Sequence, residues 1–107
     1  MTTFDKREEA FEKKFVVDEE LKFKAEARRN RLTGLWAATK LGLSGEAAAT
    51  YAREVVAAEF SEGGDAAVIA KLKGDLAAKG IATSEDEIRS QMGEFLAQAI
   101  AQVKAGI

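Results

Sequence analysis

The chain has 107 residues, of which 47% are hydrophobic and 32% charged, and its formal net charge is −2. This composition is typical of one globular domain, and it excludes an intrinsically disordered chain. The chain has no proline, cysteine or histidine, which favours helices, excludes a disulfide framework and removes the commonest general base, the thiol nucleophiles and most zinc sites.

The start of the chain carries acids throughout and shows no apolar signal region, and no apolar run approaches the roughly 18 residues that a membrane span needs. The weakly negative net charge argues against general nucleic-acid binding. We therefore expect a protein without a secretory signal or direct membrane insertion, and the absence of cysteine fits a reducing compartment.

The first predicted element is an N-terminal arm, residues 1–18. Phe4, Phe11 and Phe15 are spaced by seven and four residues, which places them on one face of a helix. This face lies about 85° from the apolar stripe of the next segment, so one straight helix cannot direct both toward the same core. Either the helix breaks near residues 16–18, or the arm, mobile or helical, presents its aromatic face to a partner. The interpretation that the three phenylalanines are ordinary core residues stays open.

The second element is a helix from about Asp18 to Leu41, which ends at Gly42. Its predicted buried stripe comprises Leu21, Ala25, Leu32, Leu35 and Trp36, with the aliphatic stem of Arg28.

A cluster of five bases lies early in this helix: Lys22, Lys24, Arg28, Arg29 and Arg31. It is interpreted as a solvated helix face or as a surface that docks on an acidic protein. A nucleic-acid contact is disfavoured, because Phe23 is the only aromatic residue interleaved with these bases and no glycine-rich nucleic-acid motif accompanies them.

Three shorter helices follow. Ser44 is predicted to cap a helix that runs to about Phe60, whose many alanines suggest close backbone contact. Asp65, after Gly63 and Gly64, is predicted to cap a helix to Lys79, with Gly80 as the left-handed residue after its end. Ser84 and Glu87 form a capping box for the last helix, which runs to about Lys104.

The apolar faces of these helices are each predicted to be buried. They comprise Tyr51, Ala52, Val55, Val56 and Ala58 in the first; Val68, Ile69, Leu72 and Leu76 in the second; and Ile88, Met92, Phe95, Ala99 and Val103 in the third. The predicted fold is therefore all-α: a four-helix bundle-like domain over residues 19–107, preceded by the arm over residues 1–18.

No group of residues predicts catalysis or a cofactor. The consecutive acids at 18–20 and 85–87 point in different directions and are typical of helix starts. The Gly63–Gly64 pair lacks the lysine and the hydroxyl that complete a phosphate-binding loop. Trp36 and Tyr51 are interpreted as core residues.

The run FKAEARRNRLTGLWAA followed by LGLSGEAAATYA resembles the alphaproteobacterial zeta-subunit family of ATP synthase regulators. The resemblance extends through DAAVIAKLKGDLAAKGIATSEDEIRSQMGEFLAQA and covers essentially the whole chain. It implies a four-helix protein that inhibits ATP hydrolysis by the catalytic head of a bacterial ATP synthase.

The resemblance further implies that the arm, from Thr2 to about Glu19, inserts as a helix between a catalytic alpha/beta pair and the gamma rotor and opposes rotation in the hydrolytic direction. The expected partners are thus the alpha, beta and gamma subunits, and the expected location is the cytoplasm, on the inner membrane's cytoplasmic face when bound. The predicted contacts are the apolar anchors Phe4, Phe11 and Phe15 and the charged residues Arg7, Glu8, Glu12 and Lys14.

Two alternatives stay open. The protein would be a non-inhibitory interaction module with its arm packed on the bundle, or a nucleotide-responsive regulator whose site no linear motif reveals.

Overall fold

The computed structural model describes residues 19–107, which form four α-helices. They are α1 (Glu19–Lys40), α2 (Gly45–Ala58), α3 (Asp65–Ala78) and α4 (Glu85–Lys104), and no strand occurs within these residues. The predicted all-α, four-helix architecture is confirmed. The N-terminal arm predicted over residues 1–18 lies outside the described residues.

Glycines end two of the helices as predicted. Gly42 and Gly80 have φ angles of 78° and 76°, which residues with a Cβ rarely adopt. The residue after each glycine donates its N–H back into the helix, from Leu43 to the Ala38 carbonyl and from Ile81 to the Leu76 carbonyl, each at 2.9 Å. These bonds satisfy carbonyls that the helix ends would otherwise leave unpaired.

The three predicted N-terminal caps differ in outcome. The prediction for Ser84 is confirmed, since its side chain accepts a 3.1 Å hydrogen bond from the Glu87 N–H. Ser44 holds the predicted position before α2 but makes no side-chain cap bond. The prediction for Asp65 is wrong: Gly64, with φ of 54°, precedes α3, and Asp65 is its first residue. The carboxylate of Asp65 instead binds Arg29 of α1.

The core lies where the predicted faces of α2, α3 and α4 meet α1. All four predicted residues of α3 are buried: Val68, Ile69, Leu72 and Leu76. In α2 and α4 the buried residues are Tyr51, Ala52, Val55, Ile88, Met92 and Ala99. The other predicted residues of these two helices, Val56, Ala58, Phe95 and Val103, are half-buried.

The predicted stripe of α1 is only partly correct. Ala25 is buried, but Leu21, Arg28, Leu32, Leu35 and Trp36 are half-buried. The residues that α1 buries are mostly small or polar: Ala25, Arg29, Asn30, Thr33, Gly34, Ala37 and Ala38. Helix α1 is the central helix, packed against each of the other three. Small side chains on its buried face let the neighbouring backbones approach closely.

Gly34 shows how close that approach is. A Cβ atom built on Gly34 would lie 2.8 Å from the Cα of Ala52 and 3.2 Å from the Cβ of Val55. The backbones of α1 and α2 therefore meet at this point, as the alanine content of α2 predicted. This close contact leaves no space between α1 and α2 at Gly34.

The start of α1 lies beside the ends of α2 and α4. The Phe23 ring is 5.9 Å from the ring of Phe60, which follows α2, and the Arg28 guanidinium donates a 3.4 Å hydrogen bond to Gln102, near the end of α4. Helix α1 therefore runs antiparallel to both neighbours. The arm joins the bundle at the end where α1 begins.

Candidate functional site

Every residue predicted to contact a partner lies outside the described residues: Phe4, Arg7, Glu8, Phe11, Glu12, Lys14 and Phe15. The first described residue, Glu19, lies in α1 directly after the arm in sequence. The surface around that point is therefore the described part of the candidate site.

A groove opens at this end of the bundle. It consists of two adjoining cavities, of about 650 Å³ and about 30 Å³, which share Phe23, Ala27 and Val56 as lining residues. Val103 and Ile107 extend the wall of the larger cavity, and Phe60 belongs to the smaller one. We call this feature the end groove.

The end groove exposes large apolar side chains. Phe23 is 57% exposed and Phe60 is 66% exposed, although their rings touch, and Ile107 is also exposed. Contiguous apolar surface of this kind marks interaction sites more often than single exposed residues do. One weak signal of the aromatic pair was present in the sequence, since Phe60 falls at the predicted end of a helix, three residues before Gly63.

The two walls of the end groove carry opposite charges. The larger cavity is lined by Lys24, Arg28 and Arg31, and the smaller one by Glu26 and Glu59. The side chain of Arg31 is exposed. Along α1, the three bases fall on one side of the line through Phe23 and Ala27, and Glu26 falls on the other.

The basic cluster of α1 does not form one solvated face. Lys22, Lys24 and Arg31 are exposed and Arg28 is half-buried, but Arg29 is only 6% exposed. The prediction of a solvated face therefore fails for Arg29.

Arg29 joins α1 to the connection between α2 and α3. Its guanidinium donates a 2.7 Å hydrogen bond to Asp65, donates another of 3.1 Å to Asn30, and lies 3.6 Å from Glu59. A buried guanidinium needs such partners, because an unpaired charge away from water is costly. This group is thus a structural clamp.

The pKa values of the two acids in the clamp, Glu59 and Asp65, shift in opposite directions. Burial raises the pKa of Glu59, and its hydrogen bond with Asp65 adds to that increase. Burial opposes ionisation of Asp65 too, but the hydrogen bonds from Glu59 and Arg29 and the charge of Arg29 together lower its pKa. The acid nearest the guanidinium is therefore the one that loses its proton more readily.

A second polar cluster links α2 to α3. The Tyr51 hydroxyl donates a 2.8 Å hydrogen bond to Asp75, and the Lys71 ammonium lies 3.1 Å from Asp75 and 3.7 Å from Glu54. Burial and this hydrogen bond raise the pKa of Tyr51 far above its ordinary value. A phenol that is harder to ionise is a poor nucleophile, so the cluster serves as a cross-link.

The two residues interpreted as core aromatics differ in burial. Tyr51 is buried as predicted, whereas Trp36 is half-buried against the core, with the Lys40 ammonium 5.2 Å from its ring. Within the described part of the chain, no group of three or more acids, histidines or cysteines is placed to hold a metal ion. None of the four helices is long and apolar enough to cross a membrane.

Comparison with known proteins identifies the family of this chain. The family described as ATPase inhibitor subunit zeta matches residues 1–102, which include the whole arm and nearly all of the bundle. The chain belongs to this family. Its membership confirms the resemblance seen in the sequence and assigns the protein to a family of inhibitor subunits.

A solved structure of another protein is similar to this zeta-family chain. That structure was determined by solution NMR, and its sequence is 46% identical. The match has a TM-score of 0.70 and covers 81% of this chain and 99% of the other. A search of curated proteins finds no match.

Proposed function

We propose that the protein inhibits ATP hydrolysis by the catalytic head of a bacterial ATP synthase, with residues 1–18 inserting as a helix between a catalytic alpha/beta pair and the gamma rotor. The protein would act in the cytoplasm, on the inner membrane's cytoplasmic face when bound. The observation that carries the proposal is the family match, which includes the arm as well as the bundle.

The aromatic face of the arm supplies part of the binding free energy. Burying Phe4, Phe11 and Phe15 gains roughly 5–9 kcal/mol. Ordering some fifteen backbone residues costs on the order of 15–30 kcal/mol. The three rings therefore need further contributions from intrahelical hydrogen bonds and from charge pairing across the cleft.

Charged residues of the arm are suited to that second contribution. Arg7, Glu8, Glu12 and Lys14 lie beside the phenylalanines in sequence, and we propose that they set the register of the arm against the alpha, beta and gamma subunits. Pairs of this kind strengthen with desolvation, because the interaction between charges grows as the effective dielectric constant falls.

The bundle contributes a second anchor. It begins immediately after the arm, at Glu19, so any contact between the bundle and the enzyme holds the arm near its cleft. Such tethering converts insertion of the arm into an intramolecular step with a high effective concentration.

The proposal is tested by ATP hydrolysis of the matching enzyme in the presence of the full chain or of a chain that lacks residues 1–18. We expect the full chain to inhibit and the shortened chain to lose inhibition while its circular dichroism stays helical. Phe11→Ala should weaken inhibition as a point variant. Equal inhibition by both chains, or inhibition by neither, would contradict the mechanism.

The partners are tested by cross-linking. The chain has no cysteine, so Glu9→Cys, which lies in the arm but outside the predicted contacts, places one photoactivatable cross-linker there. We expect adducts with the alpha, beta or gamma subunits, and Lys73→Cys, on the exposed face of α3, serves as the matched control. The nucleotide-responsive alternative is tested by titration with ATP, and it is removed if every amide resonance stays in place.

A further inference from the structure

We propose that the end groove is the surface by which the bundle docks on the catalytic head of the ATP synthase, and that its occupant there is an amphipathic helix with carboxylates along one edge of its apolar face. This inference rests on the proposed function, because it takes the head as the partner. It adds a second contact, which is formed by residues of the bundle and is separate from the predicted contacts of the arm.

The floor of the end groove is apolar and open to solvent. The rings of Phe23 and Phe60 touch and are both exposed. Val56, Val103 and Ile107 extend this apolar surface from α2 to the end of α4. Interfaces gain much of their binding free energy from a few aromatic and aliphatic side chains that become buried near their centre. An occupant of the groove therefore needs an apolar face of its own.

A stripe of bases lies along one edge of this floor. Lys24, Arg28 and Arg31 are spaced by four and three residues in α1, so they share one side of the helix and extend over about 10 Å. Arg28 is hydrogen-bonded to the neutral amide of Gln102, and Lys24 pairs with Glu20 on an exposed surface, where an ion pair is weak. Among the described residues, no acidic side chain lines the larger cavity. The stripe is therefore suited to several carboxylates in a row.

The spacing of the stripe favours a helix over a small anion. One small anion cannot pair with three bases that extend over about 10 Å, whereas a helix with carboxylates at positions i, i+4 and i+7 repeats their spacing. Apolar side chains at the same period are the anchors by which amphipathic helices bind in grooves. The opposite edge, with Glu26 and Glu59, repels acids, so it fixes which edge of the occupant carries them.

The end groove is also close in sequence to the arm. Phe23 is four residues after Glu19, which directly follows residues 1–18. A partner that binds these residues is therefore within reach of the groove. Each of the two contacts then raises the effective concentration for the other, so that neither has to be strong by itself.

Photo-cross-linking of the full chain to the purified catalytic head tests where the groove lies in the complex. Glu26→Cys places one photoactivatable thiol reagent on the acidic edge, beside the apolar floor and away from the bases. We expect an adduct whose cross-linked peptide, identified by mass spectrometry, is a helix of the head with an apolar face and acids along one edge. Lys73→Cys, on the exposed face of α3, is the matched control and should not label that peptide.

Two outcomes of the cross-linking would overturn the proposal. One is the absence of an adduct with such a helix from Glu26→Cys. The other is a main adduct between two copies of this chain, since the occupant of the groove would then be a second copy.

Binding of the full chain to the immobilised head tests the side chains of the groove. Phe60→Ala should raise the Kd about tenfold, the loss typical of an aromatic anchor, while circular dichroism stays helical because the ring is exposed in the free protein. Arg31→Glu should slow association about fivefold at low salt and less at high salt, because charges at the rim of an interface act mainly on the association rate. Lys73→Glu, a charge reversal on α3, should change neither quantity.

A charge exchange tests the pairing itself. Replacing one carboxylate of the cross-linked helix by lysine should restore the association rate of Arg31→Glu and slow that of the wild-type chain. A merely structural role of Arg31 predicts no such restoration, so its absence for every acid of that helix would overturn the pairing.

The two proposals fail in different ways. If the wild-type chain neither binds nor inhibits the head, the proposed function is wrong, and docking through the groove falls with it. If the wild-type chain inhibits and both Phe60→Ala and Arg31→Glu bind as tightly and as fast as it does, the function stands and the docking surface is wrong.

Discussion

The two halves of α1 face very different surroundings. Around Gly34, α1 and α2 meet backbone to backbone, and no additional atom fits between them. Around Phe23, two half-exposed aromatic rings border a groove of about 650 Å³. The same helix thus forms a closed contact in its second half and an open one in its first. The bundle is therefore closely packed around Gly34 and open to solvent around Phe23.

Among substitutions in the two regions compared, the largest effect is expected at the closed contact. Gly34→Ala would place a Cβ 2.8 Å from the Ala52 backbone, so the helices must separate, and overpacking of this kind should lower the free energy of unfolding by about 2–3 kcal/mol. Gly74→Ala is the matched control, because nothing lies within 4 Å of its Cβ position. It should stabilise α3 by about 0.5–1 kcal/mol. Urea denaturation measures both, and equal effects would contradict the close contact.

A smaller effect is expected at the clamp that separates the two halves. Arg29→Met removes a buried charge and leaves Asp65 and Glu59 without their cation. Because both acids are partly exposed to water, the loss should be about 1–2 kcal/mol, less than for a fully buried pair. Arg31→Met, two residues further along, should change stability by less than about 0.5 kcal/mol. Similar losses for the two variants in urea would show that the clamp is unimportant.

The clamp also predicts a dependence of stability on pH. Asp65 has a lowered pKa in the folded protein, so its contribution is present above its ordinary value of 3.8 and is lost as the pH falls through the folded value. Glu59 has a raised pKa, so its contribution is present below its ordinary value of 4.5 and is lost as the pH rises through the folded value.

Substitutions of the two acids should therefore act in opposite directions. Asp65→Asn should lower the free energy of unfolding by about 1 kcal/mol at pH 7, a value reduced for exposure to solvent, and by less at pH 3. Glu59→Gln should leave stability at pH 7 unchanged or raise it. Urea titrations at the two pH values measure these differences, and a larger loss for Glu59→Gln at pH 7 would reverse the assignment.

The smallest effect on stability is expected at the open end. Phe60→Ala removes a ring that is already 66% exposed, so the free energy of unfolding should change by less than about 0.5 kcal/mol. Leu72→Ala, which removes a fully buried side chain of α3, should cost about 3–4 kcal/mol and serves as the reference. A loss of several kcal/mol for Phe60→Ala would show that this end is part of the core.

The sequence predicted most of the fold. Local sequence pattern was enough to predict the apolar faces of α3 and α4, because they depend on residues close together in the chain. The same holds for the helix boundaries at Gly42, Gly80 and Ser84. Family membership likewise followed from the sequence. The predicted partner residues of the arm lie outside the described structure and stay predictions.

Other features depended on contacts between residues far apart in the chain. Asp65 has the side chain of a helix cap, but Arg29 lies 36 positions earlier and attracts its carboxylate more strongly. The buried face of α1 was predicted at leucines, whereas the structure places Gly34 and its small and polar neighbours there, because α1 must contact three helices at once.

The sequence by itself determined that this is a helical protein of the zeta family. Helix periodicity, capping residues and family resemblance all follow from the order of the residues alone. Only the tertiary structure decided which face of α1 is buried and that Phe23 and Phe60, 37 positions apart, meet in a groove with oppositely charged walls. The physical reason is that burial and charge pairing depend on which helices become neighbours, and no local pattern specifies that.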